Sequence, residues 1–246
     1  MRRRFLVDSF AEGGAIVRGA DAHHLARVLR ARPGQLFELS DGSAVWLAKV
    51  ARVERDRVEF LLVEPAAASE LPLDVTVLLS IFRFARFEWA LEKATELGAG
   101  VVWPLAAARS ERALVEAARK RTERWEKIVH EAAEQSRRVA PPRILPAAKP
   151  AEAFRESAAE VKLVLSERRD APPIDRFRPP SQPASVALAF GPEGGWVEEE
   201  LAAAREAGFQ DASLGPLILR AETAVIAALS VVLCTWAGAR DGIGSR

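Results

Sequence analysis

The sequence of 246 residues contains one cysteine, no tyrosine, no asparagine and six lysines against 29 arginines. The lone Cys234 excludes an intramolecular disulfide, and its place in an apolar run predicts a thiol that packs as a small hydrophobic group. No segment approaches the ~20 apolar residues of a membrane helix, and the basic N-terminus lacks the apolar stretch of a signal peptide. We therefore expect neither export nor membrane insertion, and a cytoplasmic protein.

Two phosphate-binding fingerprints are absent as well, G-x-G-x-x-G and G-x-x-x-x-G-K-[ST]. Their absence disfavours a nucleotide-cofactor oxidoreductase. His23, His24 and His130 lack metal-ligand spacing and have no cysteine partners, so we expect no metal site.

The formal net charge of +1 conceals an uneven distribution. Residues 1–32 carry seven arginines against Asp8, Glu12 and Asp21. Such an excess predicts a surface for a polyanion such as RNA. A solvated basic face without a partner explains the same residues, and the sequence leaves both interpretations open.

The first 64 residues have the pattern of a small β-barrel with short strands, turn residues between them and one helix, His23–Arg30. The predicted strands are Phe5–Val7, Ala15–Val17, Gln35–Leu39, Ala44–Val53 and Arg57–Val63. Residues 64–72 are typical of a linker, so we expect domains at 1–68 and 72–246.

After the linker, strands and helices alternate, which predicts an α/β domain with a mostly parallel sheet and ligands beyond the carboxyl ends of its strands. The predicted strands are Val75–Ile81, Val101–Leu105, Val161–Ser166, Val186–Phe190 and Ala212–Leu214. The predicted helices are Phe87–Leu97, Ala113–Arg138, Ala151–Ala159, Glu198–Ala207 and Glu222–Trp236. Residues 141–150 and 171–183 are expected to be connectors.

The turn Gly191–Gly195, with the sequence GPEGG, stands between the apolar run Ser185–Phe190 and a helix that opens with Glu198–Glu200. This pattern predicts a strand, a tight turn and a helix, with bare backbone that can approach a ligand closely. The crowded glutamates disfavour a phosphate and favour a neutral or cationic ligand. Alternatively, the glutamates complement the helix dipole and the glycines only make the turn.

A second loop, Leu214–Ala224 with the sequence LGPLILRAETA, leads into the apolar C-terminal helix. GPEGG followed by LGPLILRAETA resembles the signature of the RsmE family, the small-subunit ribosomal RNA uridine-N3 methyltransferases of the SPOUT superfamily. The chain departs from that pattern at Leu217, where the family usually has arginine, and at Ala221, where it usually has threonine. Further blocks that resemble the family in order are Arg4–Phe5, His23–Arg30, Phe87–Gly98, Pro104–Leu105, Arg109–Ser110, Arg124–Trp125 and Glu131–Arg138.

The resemblance implies a trefoil-knotted SPOUT domain after a PUA-like β-barrel, S-adenosylmethionine as methyl donor, a homodimer, and N3 of one uridine in 16S ribosomal RNA as target. The apolar last helix, Ala224–Trp236, also favours a homodimer, because its own sheet cannot cover every side. The expected cofactor contacts are Leu165, Ser166, Gly191, Pro192, Glu193, Gly194, Leu214, Gly215, Leu219 and Arg220. The expected RNA contacts are Arg4, His24, Arg27, Arg30, Arg109, Arg137 and Arg138.

Three of the side chains in or near these loops are candidates for catalysis. Arg220 is expected to hold the substrate or to stabilise the developing uridine anion, and Glu193 or Glu222 to accept a proton directly or through water. Structural roles compete with these, since Arg220 can fix a loop and Glu222 can favour a helix N-terminus. A noncatalytic RNA-binding or ribosome-assembly factor is the rival from another class, and intact cofactor loops speak against it.

Overall fold

The computed structural model describes residues 3–11, 13–68, 71, 73–168 and 170–236. Residues 69, 70 and 72 of the expected linker, and residues 1, 2 and 237–246 of the expected domains, lie outside the described residues. The chain divides into two compact units, Met1–Glu70 with His130–Pro141, and Leu71–Val129 with Pro142–Arg246. Among the described residues, no helix combines the length and apolar character that crossing a membrane requires.

The first unit contains a five-stranded sheet in the order β1-β3-β4-β5-β2. Its strands are β1 Arg4–Leu6, β2 Gly14–Arg18, β3 Leu36–Ser40, β4 Val45–Val53 and β5 Arg57–Pro65. The β1–β3 pair is parallel and the other pairs are antiparallel. Phe5, Leu25, Leu39, Val58 and Phe60 are buried together between this sheet and the helical segment that follows β2. All five strands fall within two residues of their predicted bounds.

The predicted helix His23–Arg30 is wrong in its bounds. An α-helix, α1 Gly19–His23, begins directly after β2, and a π-helical turn continues it over His24–Val28. Arg30 lies beyond the turn with a φ of 50°, in the left-handed region that non-glycine residues rarely adopt. The helix therefore cannot extend to Arg30.

The second unit is built on a six-stranded sheet in the order β11-β9-β10-β6-β7-β8, and every strand pair in it is parallel. The strands are β6 Asp74–Ser80, β7 Val101–Leu105, β8 Arg143–Ile144, β9 Val161–Leu165, β10 Ser185–Phe190 and β11 Gln210–Ala212. The helices are α2 Phe84–Glu96, α3 Arg112–Ala118, α4 Thr122–Gln135, α5 Pro150–Glu156, α6 Glu198–Glu206 and α7 Ala221–Thr235, and the residues of α4 from His130 onward belong to the first unit. The α/β fold with a parallel sheet is thus confirmed.

Apolar side chains cover both faces of this sheet, as a parallel sheet requires. Along β10, Val186, Leu188 and Phe190 pack with residues of α2 and α7. The alternate residues Ala187 and Ala189 face the opposite way and pack with residues of α5 and α6. Strand β10 is therefore buried on both sides, which explains its continuous apolar sequence.

The single long helix predicted over Ala113–Arg138 is wrong, because the chain forms α3 and α4 instead. At the break, Arg119–Arg121, the N–H groups of Lys120 and Arg121 donate to the carbonyls three residues before them, so the chain makes a tight turn there. It allows both Ala118 and Trp125 to be buried, with the Trp125 ring 4.6 Å from that of Phe87. Helix α4 ends before Arg138 because Arg137 has a φ of 58°.

Three smaller expectations also need correction. Cys234 is exposed in the single chain rather than packed as a hydrophobic group. The expected connectors contain the short strand β8 and a 3-10 turn at Ile174–Phe177. Strand β11 ends at Ala212, before the predicted Leu214.

Candidate functional site

Three neighbouring strands of the second unit, β9, β10 and β11, end at the same level of the parallel sheet. Phe190 and Ala212 both pair with Leu165, the last residue of β9. The loops that follow these strands open into one cleft of about 1160 Å³. This is the position at which open α/β sheets bind their ligands.

All ten residues that were expected to contact a cofactor line this cleft. Leu165 and Ser166 follow β9, Gly191–Gly194 follow β10, and the loop from Leu214 to Arg220 follows β11. Phe190 and Pro173 add apolar surface to its walls. The structure therefore brings together residues that are more than fifty positions apart in the sequence.

Hydrogen bonds from Arg109 and Trp196 hold the GPEGG turn in place. The Arg109 guanidinium donates to the carbonyls of Gly194 at 2.7 Å and Trp196 at 3.3 Å. The Trp196 indole N–H donates to the carbonyl of Leu165 at 3.1 Å. A Cβ on Gly194 would lie 3.2 Å from Cβ of Arg109, and one on Gly191 would lie 3.2 Å from the Trp196 ring. These two glycines are needed for close packing inside the loop itself.

Two of the glutamates that open α6 have structural partners. Glu200 accepts hydrogen bonds from the backbone N–H of Val197 at 3.1 Å and of Ala108 at 2.8 Å. Glu198 pairs with Arg205 at 3.0 Å. For Glu200 the structure favours the helix-capping interpretation over a role in ligand binding, and Glu198 already has a partner within its own helix. Glu200 also occupies an N–H group that a phosphate at this helix end would need.

The three expected catalytic side chains occupy different environments. Arg220 is the exposed residue that precedes α7, and it lines the cleft. Glu193 also lines the cleft, and its side chain is 43% exposed. Glu222 lies in the first turn of α7 with a side chain only 6% exposed, and it is not among the described residues that line the cleft.

Arg86 connects the two glutamates and was missed by sequence reasoning. Its Nη1 lies 2.6 Å from Oε1 of Glu193, and its Nε lies 3.7 Å from Oε1 of Glu222. The expected helix Phe87–Leu97 excluded Arg86, whereas α2 begins at Phe84 and places Arg86 in its first turn. A cation at a helix N-terminus opposes the helix dipole, and that unfavourable position is the signal that could have pointed to a carboxylate partner.

Several arginines that were expected to contact RNA are buried or paired within the first unit. Arg4 is 2% exposed and donates to Glu38 at 2.9 Å and to the backbone carbonyl of Arg137. The Arg137 guanidinium also pairs with Glu38. Arg138 is 8% exposed, and burial lowers its pKa to about 10. These positions suit a packed ionic cluster better than an RNA surface.

The other expected RNA contacts divide between the two units. Arg27, on the π-helical turn, and Arg30 are exposed, and the His24 ring lies 3.0 Å from the Arg3 guanidinium. These residues form a basic surface on the first unit. Arg109 lies in the second unit and holds the GPEGG turn, as described above.

His130 of the first unit has acidic neighbours that sequence spacing did not reveal. Its Nε2 lies 3.4 Å from Oδ2 of Asp21 and 3.6 Å from Oε1 of Glu134, and the three ligand atoms lie close enough together to hold an ion. Asp21 and Glu134 raise the pKa of His130 to about 10. A proton held so firmly opposes metal binding, which requires a neutral imidazole.

Family models match both parts of the chain. A model described as an RNA methyltransferase domain matches residues 69–233, and one described as an RNA methyltransferase PUA domain matches residues 17–63. With the α/β fold and its cleft, these matches define the chain as an RNA methyltransferase with a PUA domain.

Individual relatives narrow the family. The chain is 38% identical over 220 residues to ribosomal RNA small subunit methyltransferase E of Synechocystis, covering 87% of this chain and 70% of the relative. It is 34% identical over 225 residues to the protein of the same name from Bacillus subtilis, covering 88% of both. The crystal structure of that enzyme from Neisseria gonorrhoeae, bound to S-adenosyl methionine, is similar with a TM-score of 0.86 and 34% identity, covering 96% of this chain and 98% of the other.

The chain belongs to the ribosomal RNA small subunit methyltransferase E family. The resemblance predicted from GPEGG, LGPLILRAETA and the ordered blocks before them is confirmed.

Proposed function

We propose that the protein transfers a methyl group from S-adenosylmethionine to N3 of one uridine in 16S ribosomal RNA, within the small ribosomal subunit. The observation that carries the proposal is the single cleft beyond β9, β10 and β11, which is lined by both loops of the family signature. Nucleosides from 16S RNA, prepared with and without the protein, test it directly by mass spectrometry. We expect N3-methyluridine only with the protein, and its absence would refute the activity.

The residues of the cleft fit S-adenosylmethionine better than a phosphorylated cofactor. Leu165, Leu214 and Leu219 offer apolar surface, and the glycine loops offer backbone groups that can bond an adenine. At α6 the Glu200 carboxylate already binds the N–H of Val197, so phosphate oxygens would meet a negative charge there. When bound, S-adenosylmethionine supplies an electrophilic methyl group on a cationic sulfonium.

Cofactor preference can be measured by calorimetry without any RNA. We expect binding of S-adenosylmethionine and of its demethylated product, and weak or no binding of NAD and ATP. The reverse preference would favour the oxidoreductase, and binding of none of them would favour the noncatalytic RNA-binding factor.

Methylation of uridine N3 requires removal of its imide proton, so the site has to stabilise a negative charge on the base. Arg220 is exposed in the cleft just before α7, where a fixed positive charge can face a uracil carbonyl. We expect Arg220→Ala to keep cofactor affinity, because the cofactor contacts expected in this loop come from backbone groups, and to lose most methyl transfer, by about 100-fold. Arg205→Ala is the control, because Arg205 is 42% exposed on α6 and pairs with Glu198 instead of lining the cleft. Near-normal turnover of Arg220→Ala would show that Arg220 only packs its loop.

We also propose that the basic surface of the first unit binds the RNA, with Arg27 and Arg30 as its main phosphate contacts and His24 beside them. Arg4 and Arg137 are left out of this set because they pair with Glu38, and Arg138 is left out because it is buried. The Arg27→Ala/Arg30→Ala variant should weaken RNA binding and reduce its dependence on salt, with cofactor affinity unchanged. An unchanged salt slope would contradict this assignment.

The domain organisation extends the same proposal. Residues 1–68 would form a PUA-like β-barrel, and residues 72–246 a trefoil-knotted SPOUT domain that forms a homodimer in the cytoplasm. The half-buried apolar residue Ile226 of α7 supports a partner surface. Analytical ultracentrifugation tests the dimer, and a stable, active monomer at low concentration would exclude it.

A further inference from the structure

Arg86 joins two carboxylates that come from different elements of the second unit. Glu193 belongs to the GPEGG turn after β10, and Glu222 belongs to the first turn of α7. The guanidinium lies 2.6 Å from Glu193 and 3.7 Å from Glu222. A planar guanidinium can bind two carboxylates at once, because it carries N–H groups on several edges.

The two carboxylates differ in what they can reach. The Glu222 side chain is 6% exposed, so its charge needs a nearby cation to offset the loss of water. The Glu193 side chain is 43% exposed and lines the cleft. Substrate that enters the cleft can therefore meet Glu193, whereas Glu222 is not among the described residues that line it. Arg86 also lines the cleft, with a side chain 35% exposed.

The backbone of the GPEGG turn has supports that do not involve Arg86. Arg109 binds the carbonyls of Gly194 and Trp196, and Gly195 donates to the carbonyl of Pro192 at 2.8 Å. Loss of Arg86 would free the Glu193 side chain and leave this framework in place. The contribution of Arg86 is thus separable from the folding of the loop.

We infer that Arg86 is a positioning residue, anchored by the buried Glu222, which holds the Glu193 carboxylate at the wall of the cleft for proton transfer from the substrate. This inference rests on the proposed methyl transfer and goes beyond it by separating the two glutamates. Glu193 is the carboxylate that meets the substrate, and Glu222 acts only through Arg86.

A double-mutant cycle of Arg86 and Glu193 tests whether Arg86 acts on the substrate through Glu193. We expect Glu193→Gln to lower kcat by about 100-fold, and Arg86→Met to lower it by about tenfold or more, with the cofactor dissociation constant within about twofold of wild type. The variant with both changes should be no slower than Glu193→Gln alone, because Arg86 acts through Glu193. Arg86→Lys should recover part of the rate. If the effects of the two changes on kcat multiply in the double variant, the inference is overturned. A fall in kcat for Glu222→Gln larger than that for Arg86→Met would overturn it as well.

The matched control is Arg112→Met, because Arg112 also stands at the start of a helix but has a side chain 93% exposed, which pairs with the exposed Glu116. It should leave kcat and cofactor affinity unchanged.

Hydrogen exchange of residues 190–200 provides a readout that needs no activity. In Arg86→Met the amide of Gly195, which donates to the carbonyl of Pro192, should keep most of its protection, because Arg109 still holds the backbone of the turn. If this protection collapses, Arg86 is a structural support and the inference fails. Should the wild-type protein form no N3-methyluridine, the proposed function fails first, and the role in proton transfer falls with it. The exchange measurement then still decides whether Arg86 supports the loop.

Discussion

The ionic cluster of His130, Asp21 and Glu134 makes the free energy of unfolding fall as the pH rises above neutrality. Asp21 and Glu134 raise the pKa of His130 from 6.5 to about 10. Between these two values the folded protein binds a proton that the unfolded chain releases. The free energy of unfolding contributed by His130 is therefore fully present below about pH 6.5 and is lost as the pH rises through about 10.

The size of the effect follows from the geometry of the cluster. If the whole pKa difference were realised, the protonated ring would contribute about 5 kcal/mol, at 1.36 kcal/mol for each pKa unit. The contacts of 3.4 and 3.6 Å are ion pairs rather than hydrogen bonds, and 35% of the His130 side chain is exposed to screening by water. We therefore expect about 1–2 kcal/mol at pH 6.

Urea unfolding of wild type and His130→Gln at several pH values between 6 and 10.5 measures this contribution. The difference between the two proteins should be largest at pH 6 and should shrink towards zero near pH 10.5. Taking the difference cancels the contributions of all other groups, which both proteins share. His23→Gln is the control, because His23 is exposed in the last turn of α1. A difference that stays constant with pH would refute the reasoning.

Two further changes test buried polar contacts. Glu38→Gln should lower the free energy of unfolding by about 3–5 kcal/mol, because it leaves the charge of the 2% exposed Arg4 uncompensated. Glu59→Gln, whose partner is 36% exposed, should cost at most about 1 kcal/mol, and equal costs for the two would contradict the assigned burial. Trp196→Phe should cost about 1 kcal/mol in urea unfolding by removing the N–H that binds the carbonyl of Leu165, and an unchanged midpoint would show that this bond adds nothing.

Local patterns predicted most of the secondary structure. Strand β10 and the glycine turn after it follow from an apolar run that ends in GPEGG, and strand β7 was predicted with the bounds it has in the structure. The break between α3 and α4 was not predictable in this way, since residues 119–121 contain neither glycine nor proline. It results from burial of Ala118 and Trp125 on separate helices, which is a property of the assembled core.

The same distinction applies to the candidate site. Loop residues at the ends of β9, β10 and β11 could be predicted, because parallel strands present their carboxyl ends at one edge. The partners of charged residues could not, because Arg86 and Glu193 are 107 positions apart, and Arg4 and Glu38 are 34 positions apart. Arginine content alone does not distinguish a phosphate contact from a buried ion pair.

The glycines of GPEGG illustrate how a motif can be recognised correctly and explained only in part. Their sequence suggested bare backbone that a ligand approaches, yet the space beside Gly191 and Gly194 is taken by Trp196 and Arg109. Gly195 is required for a third reason, its φ of 71°. The glycines of the motif are therefore needed, before any ligand binds, for the packing of their own loop. A loop fixed in this way presents its backbone groups and Glu193 to the cleft. Because the loop is already ordered, it loses little conformational entropy when a ligand binds. The site requires this rigidity to bind and orient its ligands.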